Sequence, residues 1–188
     1  MRGLGIRTAV SAHRRELSLA VGITTLGYAA GLALFLFNGP SSAGRRVPRT
    51  AVFRQLDLSH LLVTNGGVVA ILAGGGVLLG VPTAVVLFQN GLVLGLLTGS
   101  AHTGRELGVF LVLTLPHGIL ELTGFWLAAT VGLSVPVNLA RYLHGDRPTI
   151  VDPKELQQLG LLVLVAFLAI VTGALVESSF TAILARHL

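Results

Sequence analysis

Charge is scarce in this 188-residue chain: Asp, Glu, Lys and Arg make up 11% of it, against roughly a quarter in an ordinary soluble domain. A water-soluble fold of that length could not cover itself with so few charges. Cysteine is absent, which removes disulfides, thiolate catalysis and Cys-ligated zinc from consideration. Aromatic residues are few and are not interleaved with basic ones, so the chain lacks the pattern with which proteins stack bases and neutralise phosphates, and no nucleic-acid partner is expected. No stretch of mixed polarity is long enough for a separate soluble core, so residues 1–188 read as a single integral membrane domain.

What the chain does have is apolar length. Hydrophobic residues form 53% of it, and the mean hydropathy is +0.82. Asp, Glu, Lys and Arg are missing from Leu17 to Gly44 and from Leu58 to Gly104. Glu121 alone interrupts Leu107 to Ala140, and Glu177 alone interrupts Leu156 to Ala185. These intervals match bilayer spans, which need about 20 predominantly apolar residues. A transmembrane barrel would need alternating segments of about ten residues, so the fold class is all-α, a polytopic helix bundle.

Punctuation divides the runs into five spans near residues 17–37, 61–79, 82–99, 107–135 and 156–177. Asn38-Gly39-Pro40 stops the first, Gly80-Val81-Pro82 separates the second from the third, and Pro136 is expected to end the fourth. Asp152-Pro153 reads as an N-cap followed by proline in the first helical turn. Gly74-Gly75-Gly76 should weaken span two locally. The basic start resembles a signal n-region, but Leu17–Phe37 is longer than the roughly 7–15 residues of a signal h-region, so it reads as a retained helix.

Basic residues flank the spans, where anionic lipid headgroups would attract them, and the lipid bilayer is the first partner expected. Arg2, Arg7, Arg14, Arg15, Arg141, Arg147 and Lys154 fall on one side, and Arg45, Arg46, Arg49, Arg54, Arg105 and Arg186 on the other. The positive-inside rule thus favours, by one residue, a multi-pass cell-membrane protein with a cytoplasmic amino terminus. Glycines recur every four residues at Gly27 and Gly31 and at Gly91, Gly95 and Gly99. Such spacing puts small residues on one face, for packing within the chain or against a second copy in a homo-oligomer.

The polar residues within the spans carry the chemistry. His117 and Glu121 lie four apart, on one helix face, and Pro116 leaves the carbonyl of Val112 without its helical donor. A carboxylate at bilayer depth costs about 2.5–3.5 kcal/mol on insertion scales, so Glu121 should face the bundle, either protonated or paired. Asn65, Asn90 and Glu177 are the positions expected to converge on it. Together they suit a proton relay, a substrate pocket or hydrogen-bond glue between helices. No resident cofactor is expected; the alternative is a divalent metal on His117, Glu121 and Glu177, although neither Glu-x-x-His nor His-Glu-x-x-His occurs.

Leu115–Leu122, LPHGILEL, resembles the Pro-His-Gly-x-x-Glu element of the stage II sporulation protein M family of polytopic membrane proteins. Asn90-Gly91 with Gly95 is similar to its Asn-Gly-x-x-x-Gly stretch, and Val176–Thr181 to its Ile-Glu-x-x-x-Thr-Pro element, with Ala182 in place of the proline. The resemblance implies a five-helix protein, and the family's named member serves as a membrane platform for peptidoglycan-degrading partners. The function taken from this is a membrane scaffold or assembly partner for cell-envelope proteins. The alternatives are a small-solute or lipid transporter with a protonatable site in the bilayer, and an intramembrane hydrolase using His117, Glu121 and Glu177.

Overall fold

The computed structural model describes residues 5–39, 57–101 and 104–181. The basic connector with Arg45, Arg46, Arg49 and Arg54 lies outside the described residues, as do His102, Ala182 and Arg186. Among the described residues there is no strand. The helices are α1 (Ile6–Ala12), α2 (Arg14–Asn38), α3 (Leu58–Gly74), α4 (Val81–Ser100), α5 (Gly104–Leu143) and α6 (Pro153–Val176). A 3-10 turn, Gly75–Leu78, follows α3, and a π-helical turn, Glu177–Thr181, follows α6. Among the described residues, five helical segments are long and apolar enough to cross a membrane: Arg14–Asn38, Leu58–Leu78, Val81–Ser100, Leu107–Leu143 and Pro153–Ser179.

The breaks fall where the local chemistry puts them. The glycine triplet ends the α-helical register of α3 at Gly74, and Leu79 and Gly80 turn the chain with φ of 54° and 76°. Pro82 then opens α4 within its first turn, where its missing N–H costs nothing. At this junction the Thr83 hydroxyl donates to the Leu72 carbonyl at 2.9 Å, supplying a partner where the helix changes register. Asp152 caps α6, its side chain accepting from the Glu155 N–H at 2.8 Å.

Span four departs from its predicted end. Rather than stopping at Val135, α5 carries Pro136 inside it and runs on to Leu143. Proline removes one intrahelical donor and does not forbid continuation when neighbouring structure fixes the next turn. Here the Pro136 ring packs at Gly80, and Asn138, two residues further on, is buried and hydrogen-bonded to Glu155 of α6.

In lipid the helices gain little from burying apolar surface, so close backbone approach decides the pairing. The tightest pair is α2 with α4, running parallel. Gly27 and Gly31 face the carbonyls of Phe88 and Leu92, while Gly91 and Gly95 face those of Thr24 and Tyr28; a Cβ at any of the four would strike backbone. Gly99 packs on the Phe35 ring. The face of Gly91, Gly95 and Gly99, read as an interface either within the chain or between copies, is thus filled by α2 of the same chain. α5 and α6 form the second close pair, and α3 packs on α5 through Gly132, which meets the Leu72 carbonyl. Leu72, Leu87, Leu162 and Ile170 fill the centre with Ala128, Ala129 and Ala166.

Candidate polar centre in the membrane

Three elements deliver the polar residues to one place. On α5, Pro116 precedes His117, and Glu121 follows one turn later on the same face. Asn65 comes from α3, about two turns after that helix begins, and its amide donates to Glu121 Oε1 at 2.5 Å. Glu177 comes from the junction of α6 with the π-helical turn, and its Oε1 lies 3.9 Å from His117 Nε2. One ligand-capable atom from each of His117, Glu121 and Glu177 lies within 4.8 Å of the other two.

Glycine makes the approach of α6 possible. A Cβ at Gly173 would lie 3.1 Å from Glu121 Cγ and 3.5 Å from the His117 carbonyl, so a larger residue would wedge α6 away from the centre. Neither Glu121 nor Glu177 has an arginine or lysine within ion-pair distance among the described residues. Among the described residues the group is therefore two carboxyls and an imidazole with an amide donor and no arginine or lysine paired to it.

Asn90 is placed differently. Its amide donates to the Val86 carbonyl of its own helix at 2.8 Å rather than to the cluster. It lines, with His117 and Glu121, a cavity of about 420 Å³ between α4 and α5, whose remaining wall is mostly leucine, valine and phenylalanine. Of the five residues singled out in the sequence, four meet directly and the fifth stands in the wall of the adjoining cavity. Tyr28, Thr98 and Thr114, which sequence reasoning did not name, also line it.

A second polar cluster, not anticipated, lies at the opposite end of the bundle, where α2 begins, α5 ends and α6 begins. Arg147 Nη2 pairs with Glu155 Oε2 at 2.6 Å, and its Nη1 donates to Asn138 Oδ1. Asn138 in turn donates to Glu155 Oε1 at 2.6 Å. The hydrogen bond that Arg147 donates to Glu155 holds the guanidinium above its ordinary pKa. Glu155 stands three residues after the N-cap Asp152, a spacing that marks the helix start but says nothing of a buried partner.

Comparison with known proteins finds relatives by sequence. The chain is 27% identical over 135 residues to an uncharacterized protein of Methanocaldococcus jannaschii, covering 71% of this chain and 76% of that one. No solved structure matches. The family model described as stage II sporulation protein M matches residues 51–182, a stretch containing α3 to α6 and every member of the polar centre. With more than half its length inside that model, this membrane protein belongs to the stage II sporulation protein M family.

Proposed function

We propose that the protein handles an amphiphilic or small polar solute in the cell membrane, holding its polar end at His117, Glu121 and Glu177 and its apolar part in the cavity between α4 and α5. One observation carries this reading: an imidazole and two carboxyls within 4.8 Å of one another, at the end of a largely apolar cavity of about 420 Å³. A merely structural cluster would need no such space beside it. The donor set suits a divalent cation, since zinc binds His and Glu at about 2.0–2.2 Å. Rotamer adjustment of Glu177 would close the 3.9 Å gap to His117 enough to share one ion. A bound cation would supply positive charge to these carboxyls and leave a coordination position for a solute oxygen. Transport or hydrolysis could follow from that placement.

A platform for cell-envelope partners is the second reading, favoured by the match to a family named for sporulation. With the amino terminus cytoplasmic, the basic residues around the α5–α6 connector would face the anionic leaflet.

The two readings separate on Gly118→Leu. Gly118 lines the cavity, and a Cβ there meets only Thr114 Cγ2 at 3.5 Å, so leucine enters the cavity without disturbing a helix contact. The purified parent, reconstituted in lipid and exposed to zinc, should retain metal by elemental analysis and co-purify a lipid or solute detectable by mass spectrometry. Gly118→Leu should lose the solute but keep the metal, and Glu121→Gln should lose the metal. Retention of the same partner proteins by the parent and both variants, with neither metal nor solute on the parent, would leave the platform reading and overturn the first.

A further inference from the structure

The second cluster contains more polar groups than it satisfies. Arg147, Glu155 and Asn138 complete one another, and Asp152 is spent capping α6. Beside them is a cavity of about 360 Å³ onto which His13, Glu16, Arg141 and Lys154 also face. His13, at the break between α1 and α2, is 4% exposed, and its Nε2 is buried with no hydrogen-bond partner. Leaving such an atom unpaired carries its full desolvation cost, which a bound acceptor or donor would relieve. Glu16 is equally buried and makes no hydrogen bond to the described residues, and neither Arg141 nor Lys154 forms an ion pair among them.

From this juxtaposition we infer that the cavity at the α2–α5–α6 end is a binding site for a phosphate-bearing head group that also carries an ammonium or hydroxyl donor. Arg141 and Lys154 supply the charge for the phosphate, and His13 Nε2 a further hydrogen bond. Glu16 takes the donor, so a simple anion would leave it facing like charge. The position fits the chemistry. The site lies where three spans reach the membrane boundary, the depth of lipid phosphates, with Arg14 and Arg15 beside it on α2. His13 and Glu16 precede the stretch matched by the family model, whereas Arg141 and Lys154 fall within it, so the site is made jointly by the two parts of the chain. It is independent of the centre at His117 and Glu121.

Native mass spectrometry of the full chain in detergent tests the assignment, using phosphatidylethanolamine, phosphatidylmethanol, diacylglycerol of the same acyl chains, and water-soluble glycerophosphoethanolamine. Phosphatidylethanolamine should bind at least tenfold more tightly than diacylglycerol, and Arg141→Ala with Lys154→Ala should remove that margin. Glu16→Gln should erase the preference for phosphatidylethanolamine over phosphatidylmethanol, which has no donor. Competition by glycerophosphoethanolamine at similar concentration would assign the site to a free phosphate ester; failure to compete while the lipid binds would assign it to the membrane. Equal binding of diacylglycerol, or parent-like binding by the double variant, overturns the inference. If the double variant gives no monodisperse protein, the lipid comparison on the parent chain decides alone.

Discussion

At the scale of single residues, the contact between Asn65 and Glu121 joins α3 to α5 and lends itself to dissection. Asn65→Leu would remove the amide that donates to that carboxyl and put an apolar side chain in its place, which should cost about 1–3 kcal/mol. Glu121→Gln keeps an acceptor oxygen for Asn65 and should cost less than about 1 kcal/mol. Unfolding in mixed micelles with increasing SDS would measure both, and the reverse order would mean that the carboxyl has its main partner elsewhere. The helical spacing of His117 and Glu121 and the cost of a carboxyl in lipid made this pair legible in the sequence. Asn90 was not legible in the same way. Spacing places an amide on a face but does not decide whether it reaches a neighbour or folds back onto its own helix, as Asn90 does at Val86.

Between elements, the pairing of α2 with α4 depends on backbone contact that any side chain would break. Gly95→Leu would drive a Cβ into the Tyr28 carbonyl and should destabilise the bundle by about 3 kcal/mol or more, beyond the usual overpacking cost. Gly22→Ala on α2, where a Cβ meets nothing within 4 Å, should instead be neutral or stabilising by about 0.5–1 kcal/mol. The same SDS titration compares them, and equal effects would show that α2 and α4 do not meet through these glycines. The four-residue rhythm of the glycines could be read in advance, but the identity of the partner could not, because both helices carry it. The course of α5 through Pro136 was equally hidden: the buried contacts of Asn138 that hold the later turns join residues 17 apart in the chain.

For the molecule as a whole, the count and order of the spans follow from apolar length and the glycine and proline punctuation between runs, while the far end of span four and the polar lock at the α2–α5–α6 end do not. Arg147→Ala would leave Glu155, 8% exposed, without its cation and should destabilise the fold by about 3–5 kcal/mol. Arg147→Lys, which cannot make the two-pronged contact, should recover only part of that loss. Limited proteolysis of the protein in lipid, read by the accessibility of the 144–152 connector, would report the loosening; an unchanged cleavage rate in Arg147→Ala would show that the ends of α5 and α6 are held by other means. The parallel union of α2 with α4 also imposes an order on biosynthesis. While the ribosome is still making α3, the first span sits in the bilayer with Gly27 and Gly31 bare, and its mate emerges only after α3 has been threaded and the chain has turned at Gly80. During that interval a chaperone in the translocation machinery would find a small-residue groove to shield. A chain trimmed to residues 51–182, the part the family shares, would carry the opposite groove on α4 permanently uncovered and so be inclined to pair with itself.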